Sequence, residues 1–284
     1  SSVQLFGTVD LAARYVKNGD VKRTDLASNG NSTSRLGVRG VEDLGGGLKA
    51  GFNFESGLDL DDGANLGSGG GFWGRAANLW LGGNWGTFKM GRSLTPSYYG
   101  AAVWELTGTA NYSVVGSTFG FANSLRNNSQ FSYKTPDFGG LSAEIGYILK
   151  PDNGDRAKWD MNVIYANGPI GAGLAVNKVK DGKTNYGLGG KYNFGNFVVA
   201  ASYSQASVGD LRRRGYSLGG TATFGAFALT LDLTRDTKNE WTGDKYTNGV
   251  VELKYALSKR TFVYGAFLRY DDTNNYGIGV RHNF

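Results

Sequence analysis

The sequence contains no cysteine, only four prolines and a single histidine among 284 residues. Without cysteine, a disulfide scaffold and a thiolate metal site are both excluded. Glycine is abundant, at 46 residues, but so little proline accompanies it that a collagen helix is excluded as well. The longest wholly apolar stretches span a few residues, such as 197–201, whereas a membrane-spanning helix requires about 20. The sequence therefore predicts no transmembrane helix.

The overall composition is that of an ordered chain with a basic balance. The hydrophobic share of 40% and the charged share of 19% are too balanced for a disordered chain, and the formal net charge is +6. A basic balance is compatible with nucleic acid, anionic lipid headgroups or anionic solutes as partners. The chain starts at Ser1 without a basic segment and an apolar run, so we expect any export signal to have been removed.

Large apolar residues alternate with smaller or polar ones along most of the chain. Residues 227–234 (FALTLDLT) show this pattern, as do residues 3–15 and 141–150. A period of two residues predicts strands with one apolar and one polar face. Seven short turns and eight longer polar loops alternate strictly between the strands, which predicts sixteen antiparallel strands. The longer loops are expected at about residues 17–33, 60–71, 93–124, 150–156, 178–184, 205–213, 235–245 and 271–275.

Sixteen strands favour a closed barrel, because an open sheet of this size leaves two unpaired edges. The lumen of such a barrel is too wide for side chains to fill, so the apolar face has to point outward into lipid. The sequence therefore predicts an all-β protein, a transmembrane 16-stranded antiparallel up-and-down β-barrel. Aromatic residues beside the short turns, such as Trp85, Tyr133 and Phe194, are expected to form its interfacial girdles.

Several motifs are spread over the whole chain. The last strand reads YGIGVRHNF (residues 276–284), with apolar or aromatic side chains at alternate positions and a terminal phenylalanine. Further motifs are residues 2–10 (SVQLFGTVD), 32–52 (STSRLGVRGVEDLGGGLKAGF), 83–92 (GNWGTFKMGR), 133–140 (YKTPDFGG) and 257–261 (LSKRT). Together they resemble the general diffusion porins of Gram-negative bacteria, especially the anion-selective outer-membrane porins of β-proteobacteria. The resemblance implies one porin domain over residues 1–284, a homotrimer in the cell outer membrane, and a third long loop folded into the lumen.

Residues 93–124 form the longest of the expected loops. They mix Tyr98, Tyr99, Trp104 and Phe121 with small residues, a composition that is able to pack rather than remain a solvated tether. We interpret this segment as the constriction loop, folded inward. The alternative is a flap on the surface.

Strand parity predicts which basic side chains face the lumen. Arg35 and Arg39 alternate with the apolar residues of the second strand, and Arg126 and Lys134 with those of the sixth. Arg75 shares the parity of the outward leucines of its strand, so an inward direction depends on a bulge or a bend at the strand end.

The resemblance also implies the residues of a selectivity filter. Arg35, Arg75 and Arg126 match the arginine cluster of the anion-selective porins, and Glu55 and Glu105 match acidic positions opposite or beside it. A narrow neck lined by guanidinium groups favours small anions, because guanidinium stays charged and offers a rigid fork to carboxylate or phosphate. The alternative is that ion pairs neutralise the arginines. The candidate partners are Glu55, Glu105, Asp10 and Asp59. A secondary basic path is expected from Arg14, Arg39 and Lys134, with Lys191, Lys254 and Arg281 as further inward candidates.

Other chemistries have less support in the sequence. His282 has lipid-facing parity and no cysteine companion, which argues against a metal site or a catalytic triad. Asp59, Asp61 and Asp62 could bind calcium, but such residues more often form a solvated loop face. The arginines at 212–214 lie at a loop–strand boundary, which favours attraction to lipopolysaccharide or an anionic solute over nucleic acid. We expect no cofactor.

The sequence thus predicts an outer-membrane porin, not an enzyme, that passes small hydrophilic solutes by passive diffusion and favours anions. One alternative is a substrate-specific channel for small organic carboxylates. Another, in a different class, is an outer-membrane barrel enzyme. The expected partners are small anionic or polar solutes, outer-membrane lipid and lipopolysaccharide, and further copies of the same chain in a homotrimer.

Overall fold

A computed structural model describes residues 1–66 and 71–284. The expected loop at 60–71 falls partly on residues 67–70, outside the described part. The first strands are β1 (Ser2–Asn18), β2 (Val21–Ser28), β3 (Arg35–Gly45), β4 (Leu48–Leu58), β5 (Asn65–Leu66), β6 (Ala76–Gly83) and β7 (Gly86–Leu94). Helices α1 (Pro96–Ala102) and α2 (Val114–Asn123) follow, then β8 (Arg126–Lys134), β9 (Leu141–Ile148) and a 3₁₀ helix at Lys150–Asn153. The remaining strands are β10 (Lys158–Asn167), β11 (Ile170–Val179), β12 (Asn185–Asn193), β13 (Phe197–Val208), β14 (Leu211–Phe224), β15 (Phe227–Asn239), β16 (Thr247–Ala256), β17 (Thr261–Tyr270) and β18 (Thr273–Asn283).

The strands form one antiparallel sheet that closes on itself. In the described ranges, consecutive strands pair with each other except β2 with β3 and β5 with β6, and β1 pairs with β18, for instance Leu11 with Val280. The segments β2 and β3 both pair with β1, and β5 and β6 both pair with β4, so each pair of segments is one interrupted barrel strand. The eighteen segments therefore make the predicted closed barrel of sixteen strands. None of the helices in the described ranges is long and apolar enough to cross a membrane.

The two faces of the barrel follow the sequence alternation. In β15, Leu229, Leu231 and Leu233 are exposed on the outer face, whereas Thr230 and Asp232 are buried on the inner face. Such an arrangement places an apolar surface outside and polar groups inside, as lipid outside and water inside require.

The connections differ from the sequence prediction at one end of the barrel. The expected loop at 205–213 is a hairpin of β13 and β14 with residues 209–210 at its turn, and the loop at 271–275 is a hairpin with residues 271–272 at its turn. The loop at 17–33 contains β2, and β15 extends through residue 239 into the loop expected at 235–245. Polar residues at these positions do not stop the strands, because strands that project beyond a membrane expose both faces to water.

The segment between β7 and β8 lies inside the barrel. Helix α1 packs on β10, β11 and β12, and α2 packs mainly on β13 and β15. Inward-facing glycines provide the room: a Cβ on Gly173 would lie 2.0 Å from the carbonyl oxygen of Gly100, and one on Gly189 would lie 2.3 Å from the Trp104 ring. Trp104, Val114 and Phe119 are fully buried against the wall. We call residues 95–125 the inward loop.

Candidate pore constriction

A cavity of about 680 Å³ separates the inward loop from the barrel wall. Its charged lining comes from the wall: Arg35, Glu55, Arg75, Arg126 and Arg281. The aromatic side chains of Tyr98 and Phe121, on the loop, are also part of the lining and meet edge to face at 5.6 Å between ring centroids. Four of the five residues predicted for a filter thus line one cavity: Arg35, Glu55, Arg75 and Arg126. Arg281 joins them, and Glu105 does not.

Glu55 joins two of the arginines. Its Oε1 accepts a hydrogen bond of 2.5 Å from Arg75 Nε and lies 3.6 Å from Arg35 Nε. Arg75 precedes β6, and its backbone N–H donates to the Glu55 carbonyl oxygen at 3.1 Å. The chain therefore bends at the strand end, and this bend turns the Arg75 side chain inward despite its parity.

Arg126 and Arg281 have neutral partners. Arg126 Nε donates to the Arg75 carbonyl oxygen at 2.9 Å, and Arg281 Nη1 donates to Asn31 Oδ1 at 2.9 Å. In the part of the chain that the structure describes, no carboxylate lies within 4.0 Å of either guanidinium group. Arg281 is the addition. The parity of the last strand indicates an inward side chain, but only the closure of the barrel, through the pairing of β18 with β1, brings Arg281 to the same cavity as Arg35 of β3 and the inward loop.

Glu105 is the exception, because it is not among the residues that line this cavity. Its side chain is 4% exposed and faces the backbone of the inward loop itself. It accepts hydrogen bonds from the backbone N–H groups of Thr107, at 2.9 Å, and Thr109, at 2.5 Å, and from Ser113 Oγ, at 2.8 Å. The carboxylate satisfies the donors of the turn after α1, so it stabilises the loop instead of lining the cavity.

Polar side chains of the wall hold the inward loop in place. Asp160 accepts a hydrogen bond from the backbone N–H of Ser97 at 2.8 Å, and Asn177 Nδ2 donates to the carbonyl oxygen of Ala122 at 2.8 Å. The latter bond supports a left-handed stretch in which Ala122 has a φ of 58°. Tyr112 donates a hydrogen bond to the carboxylate of Glu252.

The Tyr112 phenol remains a donor at neutral pH. Burial, together with the nearby Glu252 carboxylate, holds the pKa of Tyr112 well above its usual range. The Tyr112 side of the anchor between the loop and β16 therefore keeps its proton under ordinary conditions.

The secondary basic residues lie apart from the arginine cluster. Arg14 pairs with Asp25 at 2.9 Å, and Arg39 donates to Gln4 Oε1 at 2.8 Å. Lys134 lines a separate recess on the other side of the inward loop. Arg14, Arg39 and Lys134 therefore lie in separate places and not in one cluster.

The remaining sequence candidates have local roles in the structure. His282 Nδ1 is 2.7 Å from Thr261 Oγ1, and the carboxylates of Asp59, Asp61 and Asp62 lie within 4.8 Å of one another. A hydrogen bond with Asp61 is the main reason that the pKa of Asp59 is raised. Such an acidic group on an exposed loop is common without a metal.

The arginine run at 212–214 divides between the two faces of β14. Arg213 points inward, is fully buried, and pairs with Asp236 at 2.8 Å and with Asp271 at 2.7 Å. Arg214 shares the parity of the exposed Tyr216 and therefore lies on the outer face.

Comparisons with known proteins agree with this architecture. Residues 1–280 match the Gram-negative porin family. Outer membrane porin protein 32 of Delftia acidovorans is 34% identical over 321 residues, which cover 99% of this chain and 88% of that protein. The anion-selective porin from Comamonas acidovorans superposes with a TM-score of 0.85 at 30% identity, over 100% of this chain and 99% of that chain. OmpT of Vibrio cholerae in its trimer form shares the fold, with a TM-score of 0.74 at 17% identity over 100% and 99% of the two chains.

The barrel, its outward apolar face and the water-accessible space around the inward loop are the parts of a channel through a membrane. The family match extends over nearly the entire sequence. The chain therefore belongs to the Gram-negative porin family, as an outer-membrane β-barrel through which small hydrophilic solutes diffuse passively.

Proposed function

We propose that this porin passes small anions in preference to cations. The observation that carries the proposal is the charge of the cavity: among the described residues that line it, four are arginines and one, Glu55, is acidic. An ion in this space approaches several guanidinium groups at once, and the surrounding protein weakens the screening of their charge. A relative that is 30% identical bears the name of an anion-selective porin, which supports the same assignment.

The reversal potential in a planar bilayer under a salt gradient tests the proposal. We expect the purified protein to show anion preference, and the variant Arg35→Gln/Arg75→Gln/Arg126→Gln to lose most of it. The control variant Lys22→Gln/Lys259→Gln/Arg260→Gln removes the same charge from exposed positions outside the cavity lining. Equal shifts in the two variants, or a cation preference of the unmodified protein, would overturn the assignment.

We further propose that residues 1–284 act as one porin domain without a catalytic step. The inward loop, corresponding to the segment at about 93–124, narrows the lumen in this proposal. The single closed sheet and the hydrogen bonds between the loop and the wall support it. Limited proteolysis of the folded protein tests the point, because one domain yields no stable fragment smaller than the barrel.

A homotrimer is the proposed assembly. The trimer form of the Vibrio cholerae protein with the same fold supports it, together with the exposed outward face of β1, where Val3 and Leu5 are 72% and 61% exposed. Single-channel recordings test it, since three pores in one particle close in three equal steps. Closure in one step would indicate a monomer.

Lipopolysaccharide is the proposed lipid partner. Arg214 and Arg235 follow the outward Tyr216 toward the longer loops, and Tyr216 pairs directly with Arg235 across the strands. Arg214 donates to Gln205 and Arg235 to Thr247, so neutral groups orient both cations beside the interfacial aromatic residues. Binding of phosphorylated and dephosphorylated lipopolysaccharide to the protein and to Arg214→Gln/Arg235→Gln distinguishes phosphate recognition from general affinity.

A further inference from the structure

A second charged recess lies on the short-turn side of the inward loop, away from the arginine-lined cavity. It has a volume of about 480 Å³ and lies between helix α1 and the inner faces of β7, β8, β9 and β10. Lys89, Lys134 and Glu144 supply its charged groups, and Tyr99 and Asn162 are further polar members of its lining. Lys134 and Glu144 are direct partners across β8 and β9. None of these residues lines the arginine cavity.

One oxygen of the Glu144 carboxylate has no hydrogen-bond partner among the described residues. The residue is 6% exposed, and its Oε1 is buried without a hydrogen-bond partner in the described part of the chain. Its backbone N–H donates to Asn162 Oδ1 at 3.1 Å, so the main chain is satisfied while the side chain is not. A buried carboxylate oxygen without a donor is costly, and the recess that Glu144 lines is the place from which a further partner for this carboxylate can approach.

The two lysines do not fill this need. Within the ranges that the structure describes, no ammonium group of Lys89 or Lys134 lies within 4.0 Å of the Glu144 carboxylate. Both lysines nevertheless face the same recess, so positive and negative groups line it with a gap between them. A molecule that carries a carboxylate and an ammonium group has the complementary charges.

Tyr99 adds a neutral polar group at the loop side of the recess. Tyr99 is 39% exposed to the lumen, yet desolvation by the surrounding protein raises its pKa to about 12, so its phenol is a hydroxyl group at neutral pH. A hydroxyl can donate a hydrogen bond to a carboxylate without adding charge.

We propose that this recess binds zwitterionic solutes of the α-amino acid type on their way through the pore. The ammonium group of the solute contacts the carboxylate of Glu144. The carboxylate of the solute contacts the ammonium groups of Lys89 and Lys134. This site is separate from the arginine cluster and does not depend on the anion preference of the pore.

Single-channel ion currents with three matched solutes test the proposal. L-glutamine carries both charges, glutaramate only the carboxylate, and 4-aminobutanamide only the ammonium group. Added at neutral pH to the short-turn side, L-glutamine is expected to reduce the current saturably and at a lower concentration than either analogue. Glu144→Gln is expected to raise the half-blocking concentration of L-glutamine by about tenfold or more, because a charge-assisted hydrogen bond is lost. It is not expected to weaken the block by glutaramate.

The lysine variants complete the assignment. Lys89→Gln/Lys134→Gln is expected to weaken the block by L-glutamine and by glutaramate alike. Glu42→Gln and Lys49→Gln, which change exposed residues at the same end of the barrel, are controls expected to leave both unchanged. Equal block by L-glutamine and glutaramate, no block at all, or an unchanged response of Glu144→Gln would overturn the proposal. The reversal potential of the unmodified protein in the same membranes tests the arginine filter separately.

Discussion

The carboxylate of Glu55 sets the charge balance among the cavity arginines. It contacts Arg75 and lies near Arg35, whereas Arg126 and Arg281 donate to neutral acceptors. Glu55→Gln raises the net charge of the lining side chains from three to four positive charges. We therefore expect this variant to shift the reversal potential toward stronger anion preference, in the direction opposite to the shift caused by Arg126→Gln. A salt gradient at low ionic strength is the measurement, because screening is weakest there.

The double variant Glu55→Gln/Arg75→Gln serves as the control for this prediction. It removes one charge of each sign, so its reversal potential is expected to lie close to that of the unmodified protein. A shift of Glu55→Gln toward cation preference would mean that the carboxylate acts by positioning the arginines and not through its charge.

Strand parity predicts the direction of a side chain within a regular strand and fails at its ends. Arg35 and Arg126 face the cavity as parity indicates. Arg75 does so only because the chain bends before β6, which depends on a backbone hydrogen bond to Glu55. Glu105 lies in a loop without any period, so its inward turn toward the loop backbone could not be read from the sequence. Arg281 has the right parity, but its neighbours are known only once the barrel closes.

At the scale of elements, the inward loop packs closely on the barrel wall because glycines of the wall leave room for it. Gly189 lies under the Trp104 ring, and a Cβ there would come within 2.3 Å of it. Gly189→Ala is therefore expected to push the loop from the wall, to change the single-channel conductance, and to destabilise the barrel by about 1–3 kcal/mol. Conductance and thermal unfolding are the two measurements.

Gly187 provides the matched comparison on the same strand and the same face. Among the described residues, a Cβ there would meet only the hydroxyl of Ser204, at 3.3 Å, which can rotate away. Gly187→Ala is expected to retain the conductance and the stability of the unmodified protein. If both alanine variants behave alike, the close fit of Trp104 does not position the loop.

The projecting ends of β14 and β15, on the side of the longer loops, have beside them a carboxylate, Glu240, whose titration is expected at low pH. The backbone N–H of Arg212 donates to Glu240 at 2.8 Å, Lys238 lies 3.0 Å away, and together they lower the pKa of Glu240 from 4.5 to about 2. A lowered pKa means that the interaction stabilises these strand ends above about pH 4.5 and is lost as pH falls through about 2. NMR titration of the Glu240 carboxyl carbon is expected to give this low midpoint. Lys238→Gln should raise it only in part, because the backbone donor remains; a midpoint of 4.5 in the unmodified protein would contradict the contact.

The sequence predicts the strands more reliably than the connections. Alternation of apolar and polar residues identifies a strand wherever one face meets lipid, as in β15. The number of strands predicted in this way, sixteen, agrees with the closed barrel. The hairpins at 205–213 and 271–275 were expected to be loops because polar residues lie on both faces there, yet paired strands in water need no apolar face. Helices α1 and α2 are short, and they owe their stability to packing on the wall, which no local pattern shows.

At the scale of the whole molecule, closure of the sheet determines which charges can act on a solute. The net charge of +6 is spread over the loops, the outer face and the lumen, whereas the cavity collects residues from β3, β4, β8 and β18 that are far apart in sequence. Two sources can produce an anion preference: the field of the whole protein and the local arginine cluster. They differ in how they respond to salt.

The salt dependence of selectivity separates these two sources. The screening length falls from about 30 Å at 0.01 M to about 3 Å at 1 M, so distant surface charges act on a permeating ion only in dilute salt. Arginines that line the cavity remain within contact distance of the ion at any concentration. We therefore expect the anion preference of the unmodified protein to decrease from 0.01 M to 1 M potassium chloride but to persist at 1 M. The exposed-charge variant Lys22→Gln/Lys259→Gln/Arg260→Gln should differ from the unmodified protein only in dilute salt, and the variant without Arg35, Arg75 and Arg126 should differ at every concentration. Complete loss of preference at 1 M in the unmodified protein would assign the selectivity to the overall field of the barrel, because a local cluster cannot be screened out at contact.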